Sequence, residues 1–222
     1  ELQSTGHPNW ITSIPQAMQN VQAIGSNWVV LTPTWTYGDA YPLVLAPVPG
    51  KDSFWNDTFH MVNQARGLNM NVAVFPTPRF AFNADAFWAS APKNADWWQT
   101  WFDHYRAFII NFADLATQSG AQTLILGGDW TEPALPGGTL ANGTSSGVPA
   151  DAETRWKAII AEVRTHFRGK ILWALPYEHE YVNAPLGFLS DIDGIYLLWS
   201  LKLSDSSNPS KIDMANEAGR IL

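Results

Sequence analysis

Residues 96–130, DWWQTWFDHYRAFIINFADLATQSGAQTLILGGDW, decide the fold. Trp98, Trp101, Tyr105, Phe108, Phe112 and Leu115 recur at steps of three and four, which lines them up on one face of a helix from about Asp96 to Gln118. Gly120 stops that helix. Thr123 to Leu126 is then apolar at nearly every position, as a strand covered on both faces of a parallel sheet should be. The run leads straight into Asp129 and Trp130.

The same grammar extends in both directions. Further strands are predicted at Trp28 to Leu31, Val72 to Phe75, Ile171 to Leu175 and Ile195 to Trp199. Helices are predicted from Ser13 to Ile24, with Pro15 in the first turn and Gly25 past the end, and from Ser53 to Arg66 before Gly67. A fourth, Asp151 to Arg168, places Trp156, Ile159, Ile160, Val163 and Phe167 on one stripe and stops at Gly169; a closing helix covers Ile212 to Leu222.

Strands alternating with helices in this way imply an α/β fold, either a barrel or an open doubly wound sheet. No GxGxxG or GxxxxGK loop follows a strand, so the nucleotide-binding open sheets lose support. The expected architecture is a (β/α)8 TIM-barrel-like domain over residues 1–222. Eight strands take about 250 residues. The chain opens in a helix, so the reading is an incomplete barrel holding about strands 2 to 6, with others expected before Glu1 and after Leu222. Residues 136–149, PGGTLANGTSSGVP, read as a mobile loop.

Composition narrows the partners. With 13 Lys plus Arg against 20 Asp plus Glu the net charge is -7, and the basic residues are scattered, which argues against nucleic acid and anionic membrane surfaces. No apolar run is long enough to span a bilayer. Cysteine is absent, which removes disulfides and thiolate metal sites. Twelve Trp residues exceed what one core of this size absorbs, so some are expected to line a cleft. The sequons at Asn56 and Asn142 are compatible with export, and the expected location is extracellular or the cell envelope.

In parallel α/β folds the site forms where the strands end. Those positions hold Thr34, Trp35, Tyr37 and Asp39, then Pro76, Arg79 and Phe80, then Asp129, Trp130 and Glu132, then Tyr177, Glu178, His179 and Glu180, and finally Trp199. Aromatic faces beside carboxylates suit sugars, whose C–H faces pack on rings while their hydroxyls need polar partners. Trp35, Trp130 and Trp199 could equally close the end of the barrel as core. Glycosidic cleavage needs two carboxyl groups. Asp129, backed by the apolar TLILGG run, is the candidate proton donor, with Glu132 as a substitute from the loop; a strand-end Asp that merely caps its turn is the plainer alternative. Glu178 and Glu180 alternate, so one of them at most faces a cleft, where a rim ion pair is the competing role. The Glu178–Glu180 stretch lacks HExxH spacing, so no metal or cofactor is expected, and no GxSxG elbow supports serine chemistry.

Several pieces together, NVQAIGSNWVVLTPTW, WWQTWFDHYRAFIINFADLA, GAQTLILGGDW, RWKAIIAEVRTHFRGKILWALP and FLSDIDGIYLLWS, resemble the clan A glycoside hydrolases. They are most similar to the barrel family of β-mannanase-like enzymes numbered 113, and the likeness covers nearly the whole chain. It implies that the five strands are the second to sixth of the barrel. It also implies an acid/base Glu after the fourth strand and a nucleophilic Glu after the seventh, acting in a retaining mechanism. Asp129 stands in the first place, one methylene shorter, and the second has no counterpart in the chain. The expected activity is retaining hydrolysis of a β-linked polysaccharide by Asp129 or Glu132. Trp35, Tyr37, Arg79, Trp130, Tyr177, Glu178 and Trp199 would then bind the oligo- or polysaccharide. The alternative is a non-catalytic carbohydrate-binding or extracellular assembly protein on a degenerate barrel.

Overall fold

The computed structural model describes residues 2–3, 12–177, 186–199, 204 and 206–221. In chain order the elements are β1 (Leu2–Gln3), α1 (Ile14–Ala23), β2 (Trp28–Thr32), β3 (Thr34–Tyr37), β4 (Leu45–Ala46), α2 (Trp55–Gly67), β5 (Asn71–Val74), β6 (Thr77–Arg79) and α3 (Ala84–Ser90). Then follow α4 (Ala95–Ser119), β7 (Thr123–Gly127), α5 (Ala152–His166), β8 (Lys170–Pro176), β9 (Gly194–Leu198) and α6 (Lys211–Ile221), with short 3-10 turns at Asp129–Ala134 and Gly187–Asp191.

The main sheet runs β1-β2-β5-β7-β8-β9, and every neighbouring pair is parallel. This is the sequential order of a (β/α)8 barrel with part of its circuit present. All five strands expected from the apolar runs are in it. The two residues of β1 add a sixth ahead of α1, so the chain does not open in a helix; a pairing of two residues leaves no apolar run to find.

Alternation explains the strand composition. Val29, Leu31, Val72, Val74, Leu124, Leu126, Ile171 and Trp173 belong to the large core between sheet and helices. Their neighbours Val30, Ala73, Phe75, Ile125, Ala174 and Tyr196 form a separate cluster on the inner face. Buried on both sides, such strands cannot show a polar period. The long helix α4 presents Trp98, Trp101, Tyr105, Phe108, Phe112 and Leu115 to the large core, as its spacing predicts. It begins where the Asn94 side chain accepts the Trp97 N–H at 2.9 Å. It ends at Gly120, whose φ of 75° favours a residue without a side chain. Gly67, read as a stop, is the last residue of α2, and the left-handed residue is Asn69.

The second sheet, β4-β3-β6, is an extension of the first. β2 and β5 pair up to Leu31↔Val74, and β3 and β6 resume at Thr34↔Thr77 with the same offset. Pro33 and Pro76 lie between, and Pro33 has no N–H to donate. The ladder is still bridged by Phe75 N–H to Leu31 O and Thr77 N–H to Pro33 O. Residues 136–149 carry local hydrogen bonds of their own. Leu140 N–H donates to Thr144 O, Ser146 N–H donates to Gly138 O, and Thr139 bridges Ser145 across the turn.

Candidate functional site

The carboxyl edge of the main sheet carries two extensions. On one side the β2/β5 pair continues past its prolines as β3/β6. That small sheet is anchored by Asp52, fully buried. Its carboxylate accepts from Thr34 Oγ1 at 2.6 Å, Thr36 Oγ1 at 2.8 Å and Val48 N–H at 2.8 Å, and Arg79 Nε lies 3.3 Å away. Arg79 Nε also donates to Thr34 Oγ1 at 3.1 Å. Arg79 thus ties β6 to β3. Asp52 escaped the sequence reading because it lies in a Pro/Gly-rich stretch, PGKDSF, with no pattern around it.

Three aromatic residues expected to meet sugar pack in the layer between this sheet and the helices. Tyr37 is fully buried, stacks on Phe80 at 5.2 Å and lies 4.7 Å from Phe87. Trp35 meets Phe108 and Phe112 of α4 at 5.5 and 6.0 Å. Trp130 is buried against Tyr105 at 5.6 Å, and its carbonyl accepts Trp88 Nε1–H at 2.9 Å. Burial pushes the Tyr37 hydroxyl well above its ordinary value, with Tyr105 adding to the effect. Burial raises Tyr105 likewise, offset in part by the Gly127 N–H that it accepts at 3.1 Å. Both phenols therefore stay protonated and supply no tyrosinate nucleophile.

At the centre of the edge β7 ends in Gly127 and Gly128, both at positive φ, and the chain drops into the 3-10 turn at Asp129. Thr131 Oγ1 donates to Gly128 O at 2.7 Å, and Asp129 Oδ1 accepts Trp130 N–H at 2.8 Å. Asp129 is exposed, so the apolar wall expected behind it is not what its carboxylate meets. It lines a hollow of about 180 Å³ together with Glu132, Asp85, Trp88, Trp130 and Leu140. Asp85 and Trp88 come from α3, which the apolar runs do not reveal. The available cue is Asn83, whose side chain caps α3 by accepting Ala86 N–H at 2.8 Å.

On the other side Tyr177 and Trp199 follow the neighbouring strands β8 and β9. Their rings stack at 5.6 Å, both about half exposed. Trp199 continues the alternation of the exposed Ile195 and Leu197, opposite in phase to the inward Tyr196 and Leu198. Glu178, with His179 and Glu180, lies outside the described residues. The structure therefore brings Asp129, Glu132 and Trp130 around one hollow and pairs Tyr177 with Trp199, while Trp35, Tyr37 and Arg79 serve packing and anchoring. Among the described residues no group of three or more His, Cys, Asp or Glu could hold a metal ion, and no helix is long and apolar enough to cross a membrane.

No protein-family model matches the chain, and no curated protein matches its sequence. Solved structures do match its fold. A β-1,4-mannanase of glycoside hydrolase family 113 in a complex superposes with a TM-score of 0.64 at 15% identity over 95% of this chain. The family 113 β-mannanase from Alicyclobacillus acidocaldarius gives 0.62 at 19% identity over 87%. A β-1,4-D-mannanase from Cryptopygus antarcticus gives 0.53 at 12% identity over 87%. The chain spans 62%, 57% and 62% of those three chains, respectively. Its fold is that of the family 113 (β/α)8 barrel, with six parallel strands of the circuit described.

Proposed function

We propose that this chain belongs to a retaining glycoside hydrolase that acts on a β-linked polysaccharide, mannan foremost, outside the cell or in its envelope. One observation carries the reading: Asp129 and Glu132 line one hollow after the fourth strand of the likeness, on the edge where such barrels hold their sites. In a retaining mechanism one carboxyl group protonates the leaving oxygen while a second attacks the anomeric carbon. Asp129 takes the first role and Glu132 stands beside it in the same hollow.

A second reading, a non-catalytic carbohydrate-binding protein on the same barrel, is favoured by the exposure of Asp129, which stands in water rather than against an apolar wall. Release of reducing ends from mannan, glucan and xylan oligosaccharides separates the two. For a hydrolase, Asp129→Asn lowers turnover by about a hundredfold or more while sugar binding persists. Binding without turnover in the parent selects the second reading. A parent that neither cleaves nor binds any of these oligosaccharides rules out both.

A further inference from the structure

A second, larger hollow of about 280 Å³ lies beyond the first. Its walls are the loop after β3, with Asp39, and the segment that leads into α3, with Phe82, Asn83, Ala86, Phe87 and Ser90. The two hollows share α3 as a partition. Ala84, Asp85 and Trp88 face the carboxylate hollow, and Asn83, Ala86, Phe87 and Ser90 face the other. At 100° per residue these sets fall on opposite sides of one helix.

The chemistry of the second hollow is mixed in the manner of a sugar site. Its floor is Phe87, buried and backed by Tyr37. Its rim is Phe82, 91% exposed, a large ring that no core packing accounts for. Asn83 spends its carbonyl oxygen on the Ala86 N–H and keeps its amide donors for a hydroxyl, and Asp39 offers an exposed acceptor. An apolar ring face beside convergent donors and acceptors is what a pyranose requires. A helix about 10 Å across separates it from the carboxylates, the length of about two linked sugar units.

We infer that this hollow is a distal subsite for the polysaccharide that runs through the carboxylate hollow, with Phe82 as its stacking platform. The inference rests on the carbohydrate reading given above, and chain length tells the two apart. Affinities of the full chain for β-1,4-linked manno-, gluco- and xylo-oligosaccharides of increasing length are measured by calorimetry, for the parent, Phe82→Ala and Phe82→Trp. Phe82→Ala is expected to weaken the longest bound oligosaccharide by about tenfold, to leave the disaccharide unchanged, and to be rescued by Phe82→Trp. Because Phe82 points into solvent, neither substitution puts folding at risk. A parent that binds long oligosaccharides with Phe82→Ala binding them equally well overturns the subsite alone. Equal weakening at every length also overturns it, and a parent that binds none of them overturns the carbohydrate reading as well.

Discussion

Replacing Asp52 by Ala tests whether the small sheet is held by one buried carboxylate. The substitution leaves Val48 N–H and the hydroxyls of Thr34 and Thr36 without the oxygens they reach at 2.6 to 2.8 Å. The Val48 N–H is fixed by the backbone and carries a full penalty, while the half-buried Thr36 hydroxyl can turn to water. Thr34 keeps Arg79 Nε as a donor to its own oxygen. Charge-assisted bonds of this kind and stranded donors come to about 3 kcal/mol in all. Arg79, with 36% of its side chain exposed, is screened by solvent and adds little. For a domain of this size that loss lowers the melting temperature by about 6 to 12 °C. Urea and thermal denaturation of Asp52→Ala beside the parent give the number. A loss under about 1 kcal/mol would refute the anchoring role, because one buried and two part-buried contacts to a buried carboxylate cannot be that cheap.

Three further outcomes are expected. Gly127→Ala places a Cβ 2.5 Å from the Trp173 ring at a φ of 76°, and it should destabilise by about 2 kcal/mol or more in chemical denaturation; a variant as stable as the parent would show that β7 can yield there. Trp35→Ala should cost about 2 to 3 kcal/mol through its contacts with Phe108 and Phe112 while leaving oligosaccharide affinity unchanged, and a selective loss of affinity would return Trp35 to the cleft. Arg164, donating to the Asp193 carboxylate at 2.8 Å, and Ile171 N–H at 2.7 Å hold that carboxyl below the usual range. A lowered folded value stabilises above the unfolded value of about 3.9 and ceases to do so as pH falls through it. Asp193→Asn should therefore melt below the parent at about pH 6, with the gap closing in the acid range; a gap independent of pH would contradict the pairing.

The main sheet was legible because its central strands are buried on two faces, β9 is apolar even on its exposed face, and its helices have clear apolar stripes ended by residues such as Gly120. The small sheet was not. TWTY and TPR are short, contain polar residues and proline, and read as the polar tails of the strands before them. Tyr37 and Trp35 were placed correctly after a strand, yet position along the chain does not say on which side of that strand a ring falls. Their side is set by α3 and α4 closing over the extension, a contact remote in sequence. Asp129, Glu132 and Trp130 were found together because one tight turn holds all three. Asp85 and Trp88 join them only through the packing of α3, a seven-residue helix with too few turns to leave a period.

The adjacent prolines at 33 and 76 leave the sheet joined across one seam, with the barrel on one side and the Asp52-pinned extension on the other. A graft fastened by its own buried clasp does not lean on the length of the parent strands. Its loops can grow or shrink without shifting the register below, so the reach of this carboxyl edge is free to evolve, or be redesigned, independently of the scaffold that carries it.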